Sequence, residues 1–409
     1  MKKIILLLIL ATGFSFTFAQ KNVNLRKAKD KALNEDKPDY AGAREALKLA
    51  LQDTSILHQA ETYYVAGLIG SKQSEAEYKK AIINQKFDTL AKGKALMESY
   101  YYFLQALKYD MVPDAKGKIK PKYAKDIKSY FKDYYQFQPN LIGYGAYQFG
   151  KEDYVGALKT FEAYLAIPKM PLMNNEIKMD STYDMITYYT GVAAANAKQH
   201  ELAIKYFESM KDKKYQISGV YQNISNEYLA LKDTANYLKT IKEAIEKLPK
   251  EPWFLQNLIN FYIKINKIQD ALTYLNTAIE REPYFAQYQF VKGQLYLTLE
   301  NFEEANKALN KAIELDPSKP DIYAELGRSY YNKAVKMAID AAKIKDTNLY
   351  NKEKKNIDEI FKLAIPYYKK AVELNPKEVE YKIPLKKLYY QLQMDSDYEA
   401  ISKEIKAQQ

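Results

Sequence analysis

Two histidines, His58 and His200, raise the first question about chemistry. Imidazole titrates near neutral pH and is the usual general base and a common metal ligand. The two lie far apart, and neither has an acidic cluster at ligand spacing or an obvious nucleophile beside it. Cysteine is absent. That excludes disulfides, a lipid-bearing cysteine and a thiolate zinc site, so a metal would need carboxylates alone. Carboxylates are abundant, but nothing in the sequence singles out a pair. The Gly-rich text "GYGAYQFG" (143–150) lacks phosphate-loop spacing and follows no strand-like run, so it reads as helix packing. No Gly-x-Ser-x-Gly elbow is present. The expectation is a chain with no catalytic, metal or cofactor site.

The elements that would position any site are helical. The 409 residues are 28% charged and 47% hydrophobic, outside the range of disordered chains. There are 39 Tyr and 16 Phe but 1 Trp. "MKKIILLLILATGFSFTFAQ" opens with Lys2 and Lys3, runs apolar from Ile4 to Phe18, and ends with Thr17 and Ala19 as a small-x-small site. It reads as a signal peptide over 1–19, its apolar run shorter than the ~20 residues of a spanning helix. No later segment is apolar for long enough to span a bilayer. Net charge is +11, and removing Lys2 and Lys3 leaves +9. The lysines are dispersed among acidic residues, as on a solvated helical surface, and nucleic acid is not an expected partner.

One helix recurs: "DTANYLKTIKEAIEKLP" (233–249), "KIQDALTYLNTAIEREP" (267–283) and "NFEEANKALNKAIELDP" (301–317). Pro249, Pro283 and Pro317 share a 34-residue step, as do Ala244, Ala278 and Ala312, and Tyr228, Tyr262, Tyr296 and Tyr330. A fixed period of this size marks stacked repeats that cannot bury their apolar faces alone. The pattern resembles the tetratricopeptide repeat, which uses a small residue at position 8, Tyr at 11, Ala at 20, Leu or an aromatic at 24, Ala at 27 and Pro at 32. Unit 286–319 fills all six with Gly293, Tyr296, Ala305, Leu309, Ala312 and Pro317. Unit 252–285 has Ile259 at the small position, and unit 218–251 has Tyr237 where Ala is expected. The resemblance implies an all-α, right-handed superhelical solenoid of antiparallel helix hairpins.

The rest is the same design, less regular. "GRSYY" (327–331) opens a further unit whose second helix closes at "YYKKAVELNP" (367–376). The position-20 alanine is Ala364 rather than residue 339, so about 25 residues are inserted. This helix-forming insertion, 335–363, is expected to extend two helices beyond the array. Ala43, Ala157 and Ala203 mark looser units toward the N-terminus, with loops at 113–123 and 167–180. The expected divisions are divergent repeats over 20–183, a regular array over 184–376 and capping helices over 377–409.

In this family the first helix of each unit lines a concave groove, with positions 2, 5, 9 and 12 commonly facing it. Position 9 carries Asn226, Asn260, Gln294 and Arg328, and position 5 carries Gln222, Gln256 and Phe290. Position 2 contributes Trp253 and Gln287, and position 12 contributes Tyr331. A primary amide both donates and accepts, so a ladder of amides suits the backbone of an extended peptide. The resemblance thus implies a non-catalytic scaffold with a protein or peptide partner. The Ala-Gln leader end and the Lys/Asn/Tyr-rich composition resemble exported tetratricopeptide proteins of Bacteroidetes-type bacteria, and imply a periplasmic or secreted location in a Gram-negative bacterium. Two alternatives stay open. One is a glycan- or envelope-associated binder using groove aromatics. The other is an assembly factor for an outer-membrane complex that docks through 335–363.

Overall fold

A computed structural model describes residues 22–408. The leader expected over 1–19 lies outside the described residues. Among the described residues every regular element is a helix, and they form two compact units, one ending at Tyr237 and one beginning at Leu238. The change in sequence regularity at 184 falls inside the first unit.

The first unit holds α1 (Val23–Ala32), α2 (Tyr40–Ala50), α3 (Ala60–Ile82), α4 (Thr89–Asp110), α5 (Ala124–Gln136), α6 (Leu141–Gly150), α7 (Tyr154–Ala166), α8 (Ser181–Asn196), α9 (His200–Glu208) and α10 (Ile217–Ala230). Helix α11 (Thr234–Lys247) runs across the division. The second unit continues with α12 (Pro252–Lys264), α13 (Ile268–Arg281), α14 (Ala286–Thr298), α15 (Phe302–Leu315), α16 (Pro320–Ala341), α17 (Thr347–Leu374), α18 (Val379–Gln391) and α19 (Asp395–Gln408). Neighbours pair as hairpins: α1–α2, α3–α4, α6–α7, α8–α9, α12–α13, α14–α15, α16–α17 and α18–α19.

Each regular hairpin turns in one way. Lys198, Lys232, Asn266 and Glu300 have φ of 59°, 59°, 56° and 53°, a left-handed residue at every 34-residue step. The next residue donates its N–H back across the turn: Gln199 to Ala194, Asp233 to Tyr228, Lys267 to Tyr262 and Asn301 to Tyr296, all at 2.8–2.9 Å. This is the Schellman closure, which satisfies a carbonyl the helix end would leave unpaired. Glycine is the easiest residue there, yet none of the four is glycine.

The small residue at position 8 is explained by what faces it. A Cβ on Gly293 would lie 2.5 Å from Leu309, the residue 16 positions on. Gly145 and Phe161, and Gly191 and Phe207, make the same close pair at the same separation in the first unit. In α16 the equivalent glycine, Gly327, meets Tyr368 of α17 at 2.9 Å. The contact survives although 41 positions now separate the partners. The additional residues lengthen α16 to 22 residues and α17 to 28, against 13 and 14 in α14 and α15. The stretch beyond the contact packs on itself through Ala334, Ala341, Ile357 and Phe361.

Candidate functional site

In the second unit, polar side chains tie successive first helices together. Gln256 of α12 donates to the Tyr288 hydroxyl of α14 at 3.3 Å. Gln294 of α14 donates to the Glu325 carboxylate of α16 at 3.1 Å. The Tyr381 hydroxyl of α18 donates to Asp321 of α16. Arg328 pairs with Glu325 one turn away at 2.5 Å. Burial pushes the Glu325 carboxyl up, opposed by Arg328 and by the Gln294 hydrogen bond.

Of the second-unit amides at position 9, Asn260 is exposed and has no hydrogen bond within the described residues. Gln294 is half-buried and already commits one donor to Glu325. A primary amide has two donors and an acceptor, so capacity for a guest remains. Arg328 is exposed beside it. Gln287 is exposed and Phe290 half-buried; both line a 400 Å³ cavity with Tyr284, which is 86% exposed.

The aromatic candidates are not brought together. Trp253 is half-buried edge-on to Phe254 at 5.1 Å. Phe290 packs on the cluster of Leu297, Leu309 and Leu326. Tyr331 packs against Phe361 at 5.4 Å, at the root of the long hairpin. In the first unit, Gln222 donates to the Ser218 hydroxyl at 3.2 Å, and Asn226 is exposed with no hydrogen bond within the described residues.

The histidines sit apart. His58 is exposed, its Nδ1 3.3 Å from the Tyr109 hydroxyl. His200 opens α9, and its Nδ1 lies 2.6 Å from the Glu227 carboxylate of α10. That partner is 27 residues away in sequence and was not foreseen. Among the described residues no group of three or more His, Asp or Glu could hold a metal ion. No described helix is long and apolar enough to cross a membrane.

Sequence reading also missed a cavity of about 660 Å³ in the first unit, lined by faces of α3 and α5. Its signal was a run of polar and tyrosine residues at helical spacing, Ser71, Ser74, Glu75 and Tyr78 on one helix and Asp126, Ser129, Tyr130 and Asp133 on the other. Such runs ordinarily mark a solvated face.

Family models for the tetratricopeptide repeat match residues 293–333 and 361–378. No curated protein matches the chain. Among solved structures, a tetratricopeptide-repeat protein from Bacteroides fragilis is 23% identical over 61% of this chain and 96% of its own, with a TM-score of 0.32. The C-terminal part of a repeat protein from Cytophaga hutchinsonii is 17% identical over 64% and 93%, with a TM-score of 0.44. MamA from Desulfovibrio magneticus is 19% identical over 46% and 91%, with a TM-score of 0.34. With the six consensus positions of 286–319 filled and the family models seated on α14 to α17, this part of the chain carries tetratricopeptide repeats.

Proposed function

We propose that this protein is a non-catalytic adaptor outside the cytoplasm, binding an extended segment of a protein partner along the first helices of its repeats. Tetratricopeptide repeats imply protein partners, and arrays of this kind are generally scaffolds. The observation that carries the finer reading is the run of polar groups on α12, α14 and α16. Asn260, Gln294 and Arg328 recur there at one position, with Gln256 and Gln287 beside them. Position 9 in the first unit, Asn226, carries the same amide. The leader-like text at 1–19 supports a periplasmic or secreted location.

Capture of partners from the native host tests this reading. Tagged protein would be cross-linked in vivo beside a bait carrying Asn226, Asn260, Gln294 and Arg328 changed to alanine. Partners lost from the variant alone, at unchanged thermal stability, support binding along these helices. The same partners on both baits would retire it. Attention would then move to the long α16–α17 hairpin, where Ile339 is 61% and Leu349 48% exposed.

A further inference from the structure

The 660 Å³ cavity of the first unit has a chemistry of its own. Two carboxylates on one face of α5, Asp126 and Asp133, reach it, and neither has a cationic partner among the described residues. Asp126 accepts from the Tyr64 hydroxyl at 3.1 Å, and Asp133 accepts from the Asn140 amide at 3.1 Å. Both are neutral donors. Glu75 on the facing helix differs: Lys72 and Lys79 hold it at 2.8 and 3.0 Å. The cavity is therefore acidic in a chain whose net charge is +11.

A second observation points to a guest. Ser74 lines the cavity and is 3% exposed, yet its hydroxyl makes no hydrogen bond within the described residues. The hydroxyl is therefore free to pair with whatever fills the cavity. Beside the cavity, the Tyr78 ring already faces a cation. The Lys92 ammonium sits 5.0 Å from the centre of the Tyr78 ring and donates to the Pro139 carbonyl at 2.6 Å. Tyr64 and Tyr130 line the same space. Ring faces and oxygen acceptors together are what an ammonium or guanidinium group binds.

We propose that the cavity between α3 and α5 is a binding site for an organic cation, with Asp126 and Asp133 as counter-charges, Ser74 as a hydrogen-bond acceptor and the tyrosines as walls. Charge decides between a cation and a neutral polyol. A neutral guest would strip water from two carboxylates and return no charge, whereas a cation compensates that loss. Burial raises the Asp133 carboxyl above its ordinary range, with Asn140 opposing and Glu75 adding to the shift. This is the direction expected of a carboxylate short of positive charge. The proposal goes beyond the adaptor reading, because it places a site away from α12, α14 and α16.

Calorimetry on the full chain tests it with four probes: spermidine, Nα-acetyl-arginine amide, its neutral analogue Nα-acetyl-citrulline amide, and the peptide Ala-Ala-Arg-Ala-Ala. The cations are expected to bind and citrulline to bind at least tenfold more weakly. Asp126→Asn with Asp133→Asn should weaken cation binding by tenfold or more, and Ser74→Ala by several-fold, with melting unchanged. Tighter binding of the pentapeptide than of arginine amide assigns the guest to a basic peptide side chain. The tightest binding by spermidine assigns it to a free polyamine. Should the double variant fail to fold, Ser74→Ala and the citrulline comparison still decide. No cation binding at millimolar concentration, equal binding of citrulline, or a folded double variant that binds as the parent does would each overturn the proposal.

Discussion

The two compact units solve one packing problem with different side chains. The first is built on rings: Tyr100, Phe103, Phe131, Tyr134 and Tyr164 share one buried cluster, and Tyr135 stacks on Tyr164 at 4.3 Å. Between α14 and α16 the second uses Leu297, Ala305, Leu309, Ala312 and Leu326. Both keep a glycine against a bulky residue, Gly67 against Phe103 and Gly293 against Leu309. The repeat is thus a rule about which side chains must meet, and only secondarily about spacing. Where α3 and α4 lengthen to 23 and 22 residues, the meeting is kept and the turn moves away. The acidic cavity of the first unit lies beside these rings, lined in part by Tyr130 and Tyr134.

Emptying the two equivalent positions should have the largest effect. Phe103→Ala should cost about 3–5 kcal/mol and Leu309→Ala about 2–5 kcal/mol, since both side chains are fully buried. Hydrogen exchange should show each loss mainly in its own unit, because each repeat depends on its neighbours. Uniform loss across 22–408 from either change would contradict two separately packed units. Gly293→Val tests the other half of the contact. The added methyls meet Leu309, and denaturant unfolding should register about 2–3 kcal/mol of destabilisation.

Asp110 sharpens the contrast from the insertion side. Its carboxylate accepts from the backbone N–H groups of Lys122, Tyr123 and Ala124, each at 2.8 Å, and so fixes the start of α5 across the loop at 113–123. Asp110→Ala should cost about 2 kcal/mol by leaving those donors unmet, and cation binding between α3 and α5 should weaken with it. The smallest effect is a gain. Glu300 holds φ at 53°, so Glu300→Gly should stabilise the second unit by about 0.5–1 kcal/mol, read as a rise in melting temperature.

Much of this was legible in residue types. The 34-residue step of Pro249, Pro283 and Pro317 marks the ends of α11, α13 and α15, because each proline lies just past a helix end and disfavours its continuation, and the small residues fix where helices approach. The left-handed turns were not legible, since Lys198, Lys232, Asn266 and Glu300 carry no common turn signal. For the candidate groove, the sequence supplied the amides but not their partners. Glu325, which engages both Gln294 and Arg328, is set by how α14 lies beside α16. The α3–α5 cavity was hidden for the same reason: Ser74 and Asp133 are far apart in sequence, and each alone looks like surface.

The proposal rests on the polar first-helix positions binding extended peptide. A random dodecapeptide display library panned on the parent and on the Asn226/Asn260/Gln294/Arg328→Ala variant tests it most directly. The account predicts peptides that bind the parent with micromolar Kd and lose at least tenfold on the variant at unchanged melting temperature. No enrichment on the parent, or equal binding to both, would contradict it.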